Sequence, residues 1–316
     1  MAVAGATCIA FSAILVRLAD LPPSTAAFYR CAYALPPLAL LAVWERRRFG
    51  PLSSRARRLS LAAGVLFMAD LVLWHHAIAA VGAGLATVLG NVQVVIVPLA
   101  AWALLREKPA GRTLAAVPVV LFGVVLISGV IGAGAYGSNP ALGVLFGVLT
   151  AITYAAFLLV LRAGSTDLRR PASPLFYATL SAALVTLPVG AGLGELELRP
   201  SWPEHGWLVL IALTSQVVGW LLIAAALPRL PAALTSVTLT LQPALSVVFA
   251  VLLLDESPSA VQLAGVAVII AGVVLATAGR RRQPYTEPEL RDVAQPGSAP
   301  ALGAGGRRFE SGRPDY

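Results

Sequence analysis

Leu105-Arg106-Glu107-Lys108-Pro109 and Leu254-Asp255-Glu256-Ser257-Pro258 are two copies of one stretch, and they decide the fold of this chain. Around them, residues 85–126 and 234–275 align without a gap at a constant offset of 149, with sixteen of forty-two positions identical. The chain is therefore an internal duplication, and both copies are strongly apolar. The identical positions include Gln93 and Gln242, and the runs Gly123–Leu126 and Gly272–Leu275.

The composition excludes an ordinary soluble domain, because 58% of the residues are hydrophobic and only 12% are charged. The apolar residues form runs of about 18–24, the length that crosses a hydrocarbon core of about 30 Å as a helix. The first run lacks a basic start and a cleavage site, so we expect a membrane span there and not a signal peptide. The predicted spans are 3–20, 26–44, 59–79, 84–105, 113–131, 140–161, 173–191, 206–226, 231–254 and 259–279.

Basic residues lie in alternate loops. Arginine and lysine follow the even-numbered spans, whereas the odd-numbered loops carry only Arg199 beside Glu195, Glu197 and Glu204. Because cytoplasmic connections attract Lys and Arg, this pattern predicts a multi-pass protein of the cytoplasmic membrane with both termini in the cytoplasm. The net charge of +8 is thus explained by topology, and we expect no nucleic-acid partner.

Five spans per copy is an odd number, so the second copy must enter the membrane upside down. The duplicated corner agrees, since Arg106–Pro109 is basic and Asp255–Pro258 has lost every positive charge. The sequence therefore predicts an all-α membrane protein with ten transmembrane helices in two inverted five-helix repeats, residues 1–131 and 132–282.

Residues 283–316 form a tail rich in Pro, Gly, Ala and charge, which we expect to be disordered. Its Arg308-Phe309-Glu310-Ser311 run can be encoded by a sequence resembling the T-arm of a tRNA gene. Two interpretations stay open for this tail: an artefact of a gene prediction that reads into a tRNA gene, or a cytoplasmic interaction segment.

The Glu-Lys-Pro and Glu-Ser-Pro corners, with the two Gly-Val-Val-Leu runs, resemble the drug/metabolite transporter superfamily, specifically its EamA-type members with ten spans. The resemblance covers residues 3–279. It implies a secondary transporter of small metabolites, driven by an ion or substrate gradient. It leaves the substrate open among amino acids, sugars, nucleotides and drugs.

Ionisable groups inside predicted spans are the first functional candidates, because each costs several kcal/mol in hydrocarbon. Asp70 lies mid-span, where it is either a coupling residue that carries a proton or a neutralised structural aspartate. Arg30 either pairs with Asp70 or receives an anionic substrate group. The second copy has Ala178 opposite Arg30 and Gly219 opposite Asp70. Charges present in one copy only indicate a task on one side of the cavity, although an ion pair confined to one half would give the same pattern. Arg17 is expected to reach the membrane surface.

Gln93 and Gln242 are the best symmetry-related polar pair, each near the middle of its span. Pro98 and Pro243 nearby remove backbone hydrogen bonds, which is typical of discontinuous transporter helices. We expect substrate contacts from both glutamines, although a hydrogen-bonded helix contact would explain them too. Further substrate-binding candidates are Trp74, Asn91 and Trp220, with Gln216 and Tyr154 as secondary candidates.

Several other residues point to structure and not to chemistry. His75 and His76 diverge on one helix without further ligands, so we expect no metal and no cofactor. Cys8 and Cys31 lie in apolar runs and are expected to pack. Glu107 and Glu256 are predicted to anchor helix corners near the surface.

The function that these features favour is alternating-access transport, with export as the favoured direction, of small metabolites such as amino acids or drug-like compounds. The partners are then a small-molecule substrate, the lipid bilayer and a coupling ion such as the proton. A membrane-embedded enzyme would need a nucleophile with a base, or a second carboxylate near Asp70, and the sequence offers neither. A passive channel or lipid-moving scaffold differs from a carrier in its kinetics.

Overall fold

The computed structural model describes residues 2–106, 108–132, 134–165, 167, 169–199, 201–222 and 232–277. The predictions for the tail 283–316 and for Glu107 lie outside these residues. The described helices are α1 (Ala2–Ala19), α2 (Pro23–Phe49), α3 (Ser54–Val81), α4 (Ala83–Gly90), α5 (Gln93–Leu105), α6 (Gly111–Ile127), α7 (Pro140–Gly164), α8 (Ala172–Leu193), α9 (Glu204–Ile211), α10 (Ala232–Leu254) and α11 (Ala260–Thr277). A π-helical segment, Ala212–Gly219, continues α9.

The described helices overlap each of the ten predicted spans. Seven stretches of the described chain are long and apolar enough to cross a membrane. Three shorter apolar helices, Val3–Ala19, Gly111–Ile127 and Leu241–Leu254, account for the remaining spans. The prediction of an all-α membrane protein built from two five-span repeats is thereby confirmed.

The fourth predicted span is not one helix, because it breaks between α4 and α5 at Asn91 and Val92. Across the break the backbone hydrogen bonds join residues three apart in sequence instead of four. The Val92 amide donates to the Leu89 carbonyl and the Val94 amide to the Asn91 carbonyl, each at 3.1 Å. Pro98, one turn further on, has no amide hydrogen to donate to the Val94 carbonyl. The break lies at mid-span, where a discontinuous helix offers backbone polar groups to a cavity.

Glycines allow the two halves to pack closely. A Cβ at Gly64 of α3 would lie 2.2 Å from the carbonyl oxygen of Ala178 on α8. A Cβ at Gly123 of α6 would lie 2.6 Å from Ile269 Cγ1 of α11. Only glycine fits these positions without a shift of backbone, as expected where membrane helices cross at short distance.

Carboxylates join the halves at both ends of the bundle, one of them buried (Glu45) and one half-buried (Glu195). Glu45 at the end of α2 accepts hydrogen bonds from the amides of Ala172 and Ser173 at the start of α8, at 2.8 and 2.7 Å. At the opposite end, Glu195 follows α8 and accepts a hydrogen bond from the Ser24 hydroxyl at the start of α2, at 2.7 Å. We call these the Glu45 clasp and the Glu195 clasp. Each ties the end of one helix to the start of its symmetry mate, and a helix N-terminus favours the negative charge.

Glu256 forms a third link of this kind, between the corner after α10 and the start of α4. Its carboxylate accepts from the amides of Ala83 and Gly84 at 2.6 and 3.2 Å. Burial raises the pKa of the Glu256 carboxyl, and the two amide donors oppose that rise. The predicted role of Glu256 as a corner anchor agrees with these bonds, but the residue is 3% exposed and not at the surface.

Candidate functional site

A cavity of about 70 Å³ lies in the interior of the bundle, between the two halves. From the first half, α1 to α4 and the α4–α5 break line it; from the second half, α7, the π-helical segment and α10 do. Its charged lining residues are Arg30 and Asp70. Its neutral polar lining residues are Ser12, Thr87, Asn91, Thr150, Ser215 and Gln242.

Arg30 of α2 is the cation among the lining residues, and it is buried, with 3% of its surface exposed. Its Nη2 donates to the Gln216 side-chain oxygen at 3.4 Å, and its guanidinium lies 5.7 Å from the centre of the Trp74 ring. Nε and Nη1 have no hydrogen-bond partner. A guanidinium carries five N–H donors and no acceptor, so most of its capacity is unused.

Asp70 of α3 lines the same cavity and is 7% exposed. Among the described residues, ion pairs within 4.0 Å join His76 to Glu195, and Asp167 to Arg169 and Arg170. Arg30 and Asp70 are therefore not a close ion pair, although both border the cavity. The structure holds a cation and a carboxylate apart on one polar surface.

Four polar atoms at this cavity are buried without a hydrogen-bond partner. They are Nε and Nη1 of Arg30, Oγ1 of Thr150 and Oγ of Ser215. Folded proteins pair the great majority of their buried polar groups, so each exception needs an explanation. All four atoms belong to residues that line one cavity, so this cavity has hydrogen-bonding groups that the described residues leave unused.

An aromatic wall also borders this cavity. Trp220 packs edge-on against Tyr154 and Phe67, with ring centres 6.1 and 6.2 Å apart. Phe67 in turn stacks on Phe157 at 4.6 Å. The rings of Phe67, Tyr154 and Trp220 line the cavity, and so does Trp74. Such a lining suits an organic molecule with an apolar part.

The structure brings most of the predicted site residues together. Arg30, Asp70, Trp74, Asn91, Trp220 and Gln242 all line the cavity, and so does Tyr154. Gln93 does not line it; this residue begins α5 beside the helix break and is 7% exposed. Gln216 does not line the cavity either, but it accepts a hydrogen bond from Arg30.

The two histidines lie away from the cavity, as their helical phase predicts. The His75 ring bonds to the Leu71 carbonyl of its own helix, and the His76 ring reaches Glu195 at 2.8 Å. His76 thus belongs to the Glu195 clasp. Among the residues that the structure describes, no three His, Cys, Asp or Glu side chains cluster as a metal site would require.

Sequence reasoning missed Thr150 and Ser215. A lone hydroxyl in an apolar span gives little signal, because such groups commonly bond to their own helix backbone. For Ser215 a weak signal exists, since Ser215 and Gln216 are adjacent polar residues in an apolar run. The π-helical turn that contains them is visible only in the structure.

Apolar helices in two repeated halves around a buried, charged cavity define a membrane transport protein. The chain belongs to the EamA-like transporter family, whose model matches residues 1–129 and again residues 141–278. This membership confirms the resemblance to EamA-type members of the drug/metabolite transporter superfamily.

The fold also occurs among solved structures. One of them, titled only "Crystal structure of protein", superposes with a TM-score of 0.57 and 18% sequence identity. The match covers 88% of this chain and 98% of the other. At this identity the likeness shows the fold alone. No curated protein matches the chain.

Proposed function

We propose that this protein is an alternating-access secondary transporter that exports small metabolites, such as amino acids or drug-like compounds, across the cytoplasmic membrane. Both termini lie in the cytoplasm in this proposal, and the repeats are residues 1–131 and 132–282. The observation that carries it is the Arg30 guanidinium, buried at the interface of the halves with two nitrogens unpartnered.

The lining of the cavity supports a substrate with two features, a carboxylate and an apolar side chain. The free nitrogens of Arg30 suit a carboxylate, since charge-assisted bonds to a planar anion are the strongest that a guanidinium makes. The aromatic wall suits an apolar side chain, which Trp74 and Trp220 would contact. The amides of Asn91 and Gln242, and Gln93 once the α4–α5 break moves, would complete the binding groups. An amino acid with an apolar side chain carries both features.

Asp70 is the coupling residue in this proposal. A carboxyl group in a mostly apolar site can exchange a proton with the cavity as the cavity opens to either side. Protonation would remove a negative charge from the surface that Arg30 shares. Substrate binding and proton binding would then influence each other through the field inside one small volume.

The halves must move for a substrate to enter. Ligand sites commonly have volumes of about 300–1,000 Å³, several times the volume found here. The clasps at the two ends of the bundle are the contacts that such a motion would open in turn. This size mismatch supports a carrier that closes around its substrate more than a continuously open channel.

Counterflow in proteoliposomes tests the proposal. Vesicles preloaded with a pooled amino-acid and metabolite panel, measured at two pH values, should show saturable exchange of one substrate class. The Asp70→Asn variant should insert normally and lose accumulation driven by a proton gradient. The matched control is Asp20→Asn, an exposed aspartate with φ of +45°, where asparagine is well tolerated.

The outcomes separate the parts of the proposal. Exchange that never saturates would contradict a carrier. Undiminished, pH-dependent accumulation by the Asp70→Asn variant would remove Asp70 from the coupling role and leave the carrier assignment intact.

A further inference from the structure

The second half of the molecule supplies the only hydrogen bond that the Arg30 guanidinium makes among the described residues. The bond runs from Nη2 to the side-chain oxygen of Gln216 in the π-helical segment, at 3.4 Å. Gln216 is fully buried and does not itself line the cavity. It therefore contacts the cation without being part of the wall of the space where a ligand would lie.

Gln216 is itself held in one orientation. Its Nε2 donates to the Thr179 hydroxyl oxygen on α8 at 3.2 Å, and Thr179 is fully buried as well. Because arginine has no acceptor atom, the amide oxygen of Gln216 must face Arg30 and the amide nitrogen must face Thr179. Thr179, Gln216 and Arg30 thus form a chain of fixed direction that ends at the cavity.

The π-helical segment makes this arrangement possible. The amide of Trp220 bonds to the carbonyl of Ser215, five residues back, which widens the turn. Within this turn Ser215 lines the cavity and has a buried hydroxyl without a partner, while Gln216 bonds to Arg30. Short π-helical insertions in α-helices recur at functional sites for this reason.

The neutral amide at position 216 leaves the charge of the Arg30 guanidinium uncompensated. A carboxylate at position 216 would pair with the guanidinium and cancel its charge before a substrate arrived. A glutamine holds one nitrogen by a neutral bond and leaves the N–H groups of Nε and Nη1 without a partner, so that they can donate charge-assisted hydrogen bonds to an anion. The aromatic contact with Trp74 supports the cation without using a donor.

We propose that Gln216, oriented by Thr179, is a positioning residue that holds Arg30 with its charge uncompensated and thereby sets the preference of the cavity for substrates with a carboxylate. The inference rests on the proposed transport function. It adds that selectivity for the anionic group depends on residues of the second half that never touch the substrate.

The test compares two probes that differ only in the carboxyl group. L-phenylalanine carries a carboxylate, an ammonium group and an aromatic ring; L-phenylalaninamide lacks only the carboxylate. KM and maximal rate for both are measured by competitive counterflow in proteoliposomes. The ratio of the two KM values reports recognition of the carboxylate, and a general loss of stability would not move this ratio.

The Gln216→Glu variant should raise KM for L-phenylalanine by about 10- to 100-fold, because one or two charge-assisted bonds are lost to the new carboxylate. Its KM for L-phenylalaninamide should change little. Thr179→Val, which removes the partner of the Gln216 amide nitrogen, should move the ratio in the same direction by about threefold. The matched control is Gln262→Glu, a fully buried glutamine of α11 that does not line the cavity.

Each outcome is decisive. If the wild-type protein exchanges neither probe, the proposed carboxylate substrate fails and this inference fails with it. If the wild type exchanges L-phenylalanine while Gln216→Glu keeps the wild-type KM ratio, the inference alone is overturned. Should Gln216→Glu fail to give a monodisperse protein, the ratio measured for Thr179→Val decides, and an unchanged ratio there overturns the inference.

Discussion

The third span and its symmetry mate share an ancestry and differ in almost every feature that concerns the cavity. Helix α3 is regular from Ser54 to Val81 and carries Asp70 and Trp74. Its mate, residues 204–222, changes from α to π geometry at Ala212 and has Gly219 where α3 has Asp70. The first half supplies both charged residues of the cavity, and the second half supplies neutral groups, among them Gln216, which bonds to Arg30.

Unlike the cavity lining, the contacts that join the halves are repeated in both copies. The Glu45 clasp ties the end of α2 to the start of α8, and the Glu195 clasp ties the end of α8 to the start of α2. The comparison indicates that the contacts between the repeats are the same in both halves, whereas the residues that line the cavity differ. The symmetric contacts therefore belong to the scaffold, and the residues that differ are the candidates for function.

The largest effect should come from the charge that only the first half has. Arg30→Gln should reduce exchange of L-phenylalanine about 100-fold, because it removes charge-assisted bonds in a desolvated site. Arg30→Lys should lose about tenfold, since an ammonium keeps the charge but not the planar fork. Counterflow rates at equal protein content measure both variants.

The control for this prediction is Arg17→Gln, which removes an exposed arginine of the same half. If Arg30→Gln and Arg17→Gln reduce exchange equally, the asymmetry of the halves has no bearing on the substrate.

The positions of the membrane-spanning helices were predictable from the sequence for a physical reason. A hydrocarbon layer of about 30 Å imposes a minimum length on every apolar helix, so hydropathy alone located the spans. Helix α8, predicted at 173–191, runs from Ala172 to Leu193, and α7, predicted at 140–161, runs from Pro140 to Gly164. The cost of an ionisable group in lipid likewise led directly to Arg30 and Asp70.

The remaining parts of the site depend on details that apolar patterning does not encode. The break at Asn91 and the π turn at Ala212 are changes of backbone hydrogen bonding by one residue, and neither alters the composition of its span. Gln93 illustrates the limit. Its symmetry with Gln242 predicted a shared cavity, but the break at Asn91–Val92 in the first half interrupts the helix just before it, and only Gln242 lines the cavity.

A second test of the comparison concerns packing. Gly64 of α3 lies against the backbone of Ala178, whereas the aligned position in the other half, Leu213, is 43% exposed. Gly64→Ala should destabilise the protein by about 1–3 kcal/mol, because a methyl group would have to displace a carbonyl oxygen. Leu213→Ala should change stability little, since the side chain lies on the outer surface.

Thermal melting in detergent, followed by size-exclusion fluorescence, measures both changes. Gly192→Ala is the matched control for the chemistry of the substitution, because no atom lies within 4 Å of its added Cβ. A melting temperature for Gly64→Ala equal to that of Gly192→Ala would mean that α3 and α8 separate at no cost.

The smallest predicted effects are those of substitutions in the two clasps. They test the comparison most directly, because the loss of one clasp should favour opening to one side of the membrane and the loss of the other clasp should favour opening to the opposite side. Glu45→Gln leaves one oxygen to accept three donors, the amides of Ala172 and Ser173 and the Ser173 hydroxyl. The loss should be about 1–1.5 kcal/mol, which shifts a two-state equilibrium about five- to tenfold. In the proposed topology this variant favours opening to the cytoplasm, and Glu195→Gln favours opening to the other side.

Labelling of Ser12→Cys, a cavity position, distinguishes the two shifts in a background where Cys8 and Cys31 are replaced by alanine. A membrane-impermeant methanethiosulfonate, added to right-side-out and to inverted vesicles, reports the accessibility of the cavity from each side. Glu45→Gln should speed labelling in inverted vesicles, Glu195→Gln should speed it in right-side-out vesicles, and the exposed Glu197→Gln should change neither. Two clasp variants that move labelling in the same direction would show that the clasps brace a single conformation and do not gate the two sides in turn.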